Sequence, residues 1–445
     1  MPHKRQYIPT LLAILSLSTT ACAEDVASIN KSSELTLIHS LDELKSYASK
    51  DKVKVRLAPG TYTLDTADSH KFIRFTGNDS HYDLSGVVIR VDNELFRSFG
   101  VPKGLDNFYC VIDLIGDRIA FEGATIETFG DFPGIQSKNK IINITGSGVV
   151  ARNLEITTSG SSPWGYGSLF GIASGDVRKK NGIRVGWPAV GSKVIGCKVH
   201  MRAMGHAIFV QGAQDTLIED CHIDGLLKPT NDILTETSGY AYDRNFKTAG
   251  HDYIEGVHVG AKGEILPDEI ISLSEDGIRL YGKYNGVPTG STTIRNCSVT
   301  QMRRGICTGL NGDVADLVEN CEVTNCVAAG FNVSEGDQLI NCRADAKYAE
   351  ALSCPYSDSR NLKVDLEILD SRNGLSNDVL ATINGSQHHI KLHTADPAFV
   401  PESMCIALGT RRGYAFYQMN VPPAKDIQLK NETMAHVVDD SEIKE

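Results

Sequence analysis

The sequence predicts an all-β chain: a single right-handed parallel β-helix, a solenoid closed at its N-terminal end by a short helix and interrupted by two long loop insertions. Three observations carry that prediction. A motif returns five times between Lys193 and Ala344 (KVIGCKV, TLIEDCHI, TTIRNCSV, DLVENCEV, QLINCRA), each copy holding two short apolar strands around a corner residue and a cysteine. Cys197 and Cys221 stand 24 positions apart, as do Cys297 and Cys321, and Cys342 follows 21 later; this period is too short for a domain and right for one coil of a solenoid. A second series keeps step with the first: GIRV from Gly182, AIFV from Ala207, GIRL from Gly277, GICT from Gly305 and GFNV from Gly330. Each coil therefore holds strand, loop, strand, corner and strand, with its backbone bonds made to the coils on either side.

The corner residues are Asn296, Asn320 and Asn341, with Asp220 and Gly196 at the same place. Asn, Asp and Gly tolerate left-handed backbone, and the Asn amides can bond up the stack. Eleven cysteines in an exported chain ordinarily suggest disulfides. Here five of them share one repeat position, so each is expected as a small, reduced, inward-pointing side chain beside its equivalent. No CxxC pair or Cys/His cluster at zinc spacing occurs, and no metal site is expected.

Taken in order, residues 1–23 carry Lys4 and Arg5, an apolar run from Ile8 to Leu17, and small residues through Ala23, the pattern of an export signal. Cleavage before Glu24 is expected, giving a periplasmic or secreted protein. Lipidation at Cys22, making an outer-membrane lipoprotein, is the alternative, and that lipid would be the one membrane attachment. Without Lys4 and Arg5 the formal charge falls from −11 to −13, which disfavours nucleic acid as a partner. In residues 24–52, Leu41, Leu44 and Tyr47 fall at helical spacing and predict a helix covering the open first coil. The strands from Val53, with a Pro59-Gly60 turn, begin a solenoid assigned to 53–435. Its outer coils keep the pattern with Leu154 and Leu366 in the cysteine place, and 436–445 reads as a polar tail.

Two loops, 158–181 and 225–275, are too long for their coils, and long aromatic and charged loops on a rigid scaffold are more often functional than decorative. They hold Trp164, Tyr166, Lys228, Tyr240, Tyr242, Lys247 and His251. They flank the GIRV-type strands. With Ile183, Ile208, Ile278 and Ile306 inward, alternation turns Arg184, Phe209, Arg279 and Cys307 outward, and Gln211 and Tyr281 further along. Asn181, His206, Asp276 and Arg304 stand just ahead of the strands. A face carrying Arg184, His206, Arg279 and Arg304 on an acidic protein suggests a site for an anionic ligand. Taken singly, an outward Arg is more often a solvated residue paired with Asp or Glu, and loop Tyr residues build small local cores; the joint pattern is what points to a site.

Through PGTY, the Asn-Cys corners and the GIRV-type strands the chain resembles the right-handed β-helix polysaccharide lyases, and among them is similar to the alginate lyases of polysaccharide lyase family 31. The resemblance implies endolytic β-elimination on poly-mannuronate, with a Tyr and a Lys as catalytic pair and no obligatory metal. It also implies an anionic polysaccharide partner. The candidates are Tyr166, Tyr240 or Tyr242 with Lys228 or Lys247, and His206 is a further base candidate. Arg184, Arg279, Tyr281, Arg304, Gln211, Trp164 and His251 would bind substrate. A calcium-assisted variant resembling family 6 would pair Lys283 with Arg304; calcium is compatible with the reading but not required. Two other classes remain open. One is a glycoside hydrolase on the same fold using paired carboxylates such as Asp276 with Asp220 or Asp232, although the motifs of polygalacturonases and mannuronate epimerases are absent. The other is a non-catalytic carbohydrate-binding solenoid.

Overall fold

A computed structural model describes residues 35–100, 108–130, 138–161, 179–239, 242, 265–309, 314–374, 377–409 and 424–439, all within one compact unit, Leu35–Glu445. The chain is a parallel β-helix. One face is a twelve-stranded sheet that begins at Lys71–Phe75, passes through Lys179–Gly186, Ile208–Gln211, Asp276–Tyr281 and Arg304–Cys307, and ends at His436–Asp439. Its register runs Ile183, Ile208, Ile278, Ile306, Phe331, one residue per coil, all parallel and all fully buried. The other long sheet joins the two short strands that each coil makes on either side of its corner, such as Thr216–Glu219 and His222–Asp224.

The corners behave as their residue types dictate. Asn153, Gly196, Asp220, Asn296, Asn320 and Asn341 all hold φ between 52° and 63°, the left-handed region that Asn, Asp and Gly enter at least cost. Their side chains form a ladder: Asn296 donates to Asp220 at 3.0 Å, Asn320 to Asn296 at 3.2 Å and Asn341 to Asn320 at 2.7 Å. At Gly196 a Cβ would come within 2.6 Å of the Asn153 side-chain oxygen, so this rung carries none. One residue on, Cys197, Cys221, Cys297, Cys321 and Cys342 are buried and free. Each thiol lies within 3.5–3.8 Å of a backbone carbonyl of the preceding coil. Leu154 and Leu366 continue the column, buried to 1% and 0% exposure.

The N-terminal helix spans Leu41–Tyr47, with Ser40 accepting from the Glu43 amide as its N-cap, and it buries Leu41 and Leu44 on the first coil. The strand Thr36–Ile38 ahead of it also joins the sheet, pairing with Lys54–Leu57; three residues are too few to show a period. At the other end His436–Asp439, expected as part of a polar tail, is a strand in register with Cys405–Leu408. No helix among the described residues is long and apolar enough to cross a membrane.

Candidate active site

The site lies on the outward side of the twelve-stranded sheet. The glycine of each GIRV-type segment is what places it there. A Cβ at Gly182, Gly277 or Gly305 would come within 3.0, 2.3 or 2.2 Å of the interior Val199, Val299 or Val323. The residue before the inward Ile therefore also faces the interior. Two successive inward positions turn the residue before them outward, so Asn181, His206, Asp276 and Arg304 join the outward column of Arg184, Phe209, Arg279 and Cys307.

His206 is the hub. Its Nδ1 lies 3.3 Å from Asp276 Oδ2 and 3.4 Å from the Asp276 amide, and its Nε2 lies 2.8 Å from the Tyr281 hydroxyl and 3.5 Å from Glu275 Oε2. The His206 amide donates to Asn181 Oδ1 at 2.8 Å. Phe209 and Tyr281 pack against the imidazole with ring centroids 5.8 and 5.7 Å away. Burial drives the imidazole pKa down, against the pull of Glu275 and Asp276, and the ring is neutral near pH 7. Tyr281 is half-buried, and burial raises its hydroxyl to about 12, so the phenol keeps its proton.

Around this pair the charges are paired, which corrects the simple cationic face expected from the sequence. Arg304 grips Asp276 with Nε at 2.8 Å and Nη2 at 2.9 Å, Arg279 Nη1 reaches Asp276 at 2.9 Å, and Arg303 Nη2 does so at 3.2 Å. Lys179 bonds Glu275. Burial alone would raise both carboxyls, but Arg304, Arg303 and Arg279 hold Asp276 well below its usual value, and Lys179, His206 and Arg303 hold Glu275 at about 2. Both are carboxylates at any working pH. Arg304, expected as a substrate binder, is thus committed to Asp276 and only 2% exposed. Arg279 also donates to the Cys307 thiol at 3.2 Å, while its Nε has no hydrogen-bond partner among the described residues.

Arg184 stands one coil before Phe209 in the same column. It donates to Asn143 Oδ1 at 3.0 Å, Asn143 donates to Asp113 at 2.8 Å, and the Tyr284 ring lies 4.6 Å from the guanidinium. Gln211, half-buried, is the register partner of Tyr281. Lys228 lies on the expected excursion, whose two legs, Leu227–Pro229 and Ile270–Ser272, form an antiparallel ribbon leading directly into Glu275 and Asp276. Its ammonium is 3.2 Å from Glu236. Tyr242 is 54% exposed. Trp164, Tyr166, Tyr240, Lys247 and His251 lie outside the described residues.

Glu275 and Arg303 were missed in the sequence, though a signal was there. SED before GIRL and RR before GIC place two acids and two bases at matching positions of consecutive coils, and Asp276 and Arg304 are register partners. The paired-carboxylate chemistry of a hydrolase finds no support here. Asp276 is locked ionised among guanidiniums, and Asp220 belongs to the corner ladder of the other sheet. Lys283 is exposed on a two-residue ribbon with Val287–Pro288, whereas Arg304 is buried under Asp276, so the two do not form a free Lys/Arg pair. Among the described residues no three His, Cys, Asp or Glu side chains group at metal-ligand spacing. The acidic pair Glu275 and Asp276 is already taken up by Lys179 and the arginines, so it does not fit a calcium ion.

No protein-family model matches the chain, and no curated protein matches it. Among solved structures it is similar to a PL6 alginate lyase in complex with a trisaccharide, at 12% identity and a TM-score of 0.47, covering 92% of this chain and 88% of that one. It is likewise similar to a rhamnogalacturonan lyase, at 12% identity and a TM-score of 0.42 over 88% and 81% of the two chains. A tailspike protein of an E. coli bacteriophage, in complex with a pentasaccharide, gives 12% and 0.43 over 87% and 74%. At these identities the likeness is one of fold.

Proposed function

We propose that this chain is a polysaccharide lyase that cleaves an anionic uronate polymer by β-elimination, poly-mannuronate or alginate above others, in the manner of family 31. The observation that carries the reading is the His206–Tyr281 hydrogen bond at 2.8 Å beside the Arg279 guanidinium. β-Elimination needs a carboxylate whose charge is offset, a base for the proton next to it, and a proton for the departing glycosidic oxygen. Arg279, with its unpartnered Nε, and Arg184 would offset the carboxylate. Tyr281, once its own proton has passed to the neutral imidazole that it is hydrogen-bonded to, would take the proton from the carbon beside the carboxylate. The electron pair then forms the carbon–carbon double bond and expels the glycosidic oxygen on the neighbouring carbon. The same phenol can return its proton to that oxygen.

No obligatory metal enters this scheme, and export through residues 1–23 would bring the enzyme to its polymer. The test is the ultraviolet absorbance of an unsaturated uronate on mixing with alginate, poly-mannuronate and pectate; a hydrolase or a binder produces none. Tyr281→Phe, which keeps the ring and its packing, should lower kcat by at least about 10²-fold, and His206→Ala by a similar factor. A fully active Tyr281→Phe variant, or an unchanged rate after His206→Ala with unaltered melting, places the chemistry elsewhere on the solenoid.

A further inference from the structure

The same nitrogen of His206 faces two oxygens. Its Nε2 is 2.8 Å from the Tyr281 hydroxyl and 3.5 Å from Glu275 Oε2. Glu275 is 1% exposed, its Oε1 is bound by Lys179, and its Oε2 has no hydrogen-bond partner among the described residues. A buried carboxylate oxygen left unmatched is costly, because it has given up its water without a replacement donor, so one aimed at an imidazole requires an explanation. A neutral ring with its proton on Nδ1, toward Asp276 Oδ2, cannot satisfy both neighbours at Nε2: that nitrogen accepts from Tyr281 and has no proton to offer Glu275.

We propose, building on the lyase reading, that Glu275 is a positioning residue that turns Tyr281 into a base by receiving the Nε2–H bond of His206 once the tyrosine proton has moved there. The step balances internally. The Tyr281 O–H bond breaks, its electron pair stays on the phenolate oxygen, and an N–H bond forms at His206 Nε2. The imidazolium then lies between Glu275 Oε2 on one side and Asp276 Oδ2, 3.3 Å from Nδ1, on the other. The phenolate is left with the Arg279 guanidinium 5.1 Å from its ring centre. When the phenolate takes the substrate proton and passes it to the departing oxygen, the proton on His206 returns to Tyr281 and the cycle closes. The charged groups facing this unit from neighbouring strands are Lys179, Arg279, Arg303 and Arg304, together with the two carboxylates. Lys179 sets the strength of the acceptor, because it shares the Glu275 carboxylate from the far side.

The experiment reads His206 directly. In the ligand-free, ¹⁵N-histidine-labelled full chain, Glu275→Gln should lower the His206 midpoint by about one pH unit, since imidazolium loses a facing charge. Lys179→Gln should raise it, since the carboxylate is no longer shared. On poly-mannuronate, Glu275→Gln should lower kcat by about 10-fold or more with KM little changed. An unmoved His206 midpoint in both variants overturns the proposal, as does an undiminished kcat in Glu275→Gln; if that variant does not fold, the direction of the Lys179→Gln shift decides alone. A wild type that eliminates no uronate polymer, while both midpoints move as stated, sinks the lyase reading and leaves the Glu275–His206 coupling standing. The reverse pattern sinks the coupling alone.

Discussion

Replacing Asp276 by Ala removes a carboxylate on which three buried guanidiniums converge. Arg279, Arg303 and Arg304 are 7%, 1% and 2% exposed and reach it at 2.9, 3.2 and 2.8 Å. Breaking one buried pair typically costs about 3–5 kcal/mol, because the surviving charge stays out of water. With three cations affected, the upper end, about 5 kcal/mol, is expected. The compact unit from Leu35 to Glu445 should unfold with an entropy of about 0.9 kcal/mol/K at roughly 2 cal/mol/K per residue, so melting should fall by about 5–6 °C. Scanning calorimetry of the variant measures this. Adding Arg304→Met should restore part of the loss, because the cation most fully committed to Asp276 is then gone as well, and the double-mutant cycle isolates the coupling. A single variant that melts within about 1 °C of the wild type would show that the guanidiniums are solvated or paired otherwise, and would refute the cluster as drawn.

Two further predictions concern the scaffold and its acid limit. Alkylation of the denatured, unreduced protein should find Cys197, Cys221, Cys297, Cys321 and Cys342 as free thiols. Cys321→Ser should cost about 1–3 kcal/mol for its buried hydroxyl without altering any catalytic rate; disulfides among the five would sink that picture. Stability should fall on acidification. The folded pKa of Glu275, about 2, lies below its ordinary 4.5, so the unfolded chain binds the extra proton. Its contribution, about 3 kcal/mol, is whole above pH 4.5 and is lost as pH falls toward 2. His206, also lowered, adds loss of the same sign starting below its ordinary 6.5. Asp337, which burial raises to about 7, works in the opposite sense, favouring the fold below its ordinary 3.8 and losing that contribution as pH rises toward 7. Below about pH 4, where Asp337 no longer opposes it, chemical denaturation should show an acid loss that Glu275→Gln reduces; an equal loss in that variant refutes the assignment.

The fold was legible because a solenoid writes one residue per coil into the chain. Cysteines at 24-residue spacing and Asn corners before them could only be stacked columns, and both columns are there. The outward positions of Arg184, Phe209, Arg279 and Cys307 followed from alternation. What alternation did not supply was the lateral dimension. Asp276 and Arg304 stood in the sequence at one register position of consecutive coils, yet their pairing cancels the charge that had seemed free. Tyr281 reads in the sequence as a substrate-binding residue, because nothing local shows that the next coil's Tyr hydroxyl reaches back to His206. Thr36–Ile38 and His436–Asp439 escaped because an end strand has one neighbour and too few residues to show a period.

The pairing of Ile208 with Ile278 also governs how the chain must assemble. Most coils close over a short contour: Ile278 meets Ile306 28 positions on, and Ile183 meets Ile208 after 25. Ile208 and Ile278 are separated by 70 positions. Closing the longer loop costs about 0.8 kcal/mol more entropy than closing 28 residues, roughly a fourfold slower encounter. A folding front moving coil by coil from either end therefore slows at this joint. His206 lies on one side of it, and Glu275, Asp276 and Tyr281 on the other. The two halves of the solenoid can each be well ordered before the site exists, and the site is complete only when they meet.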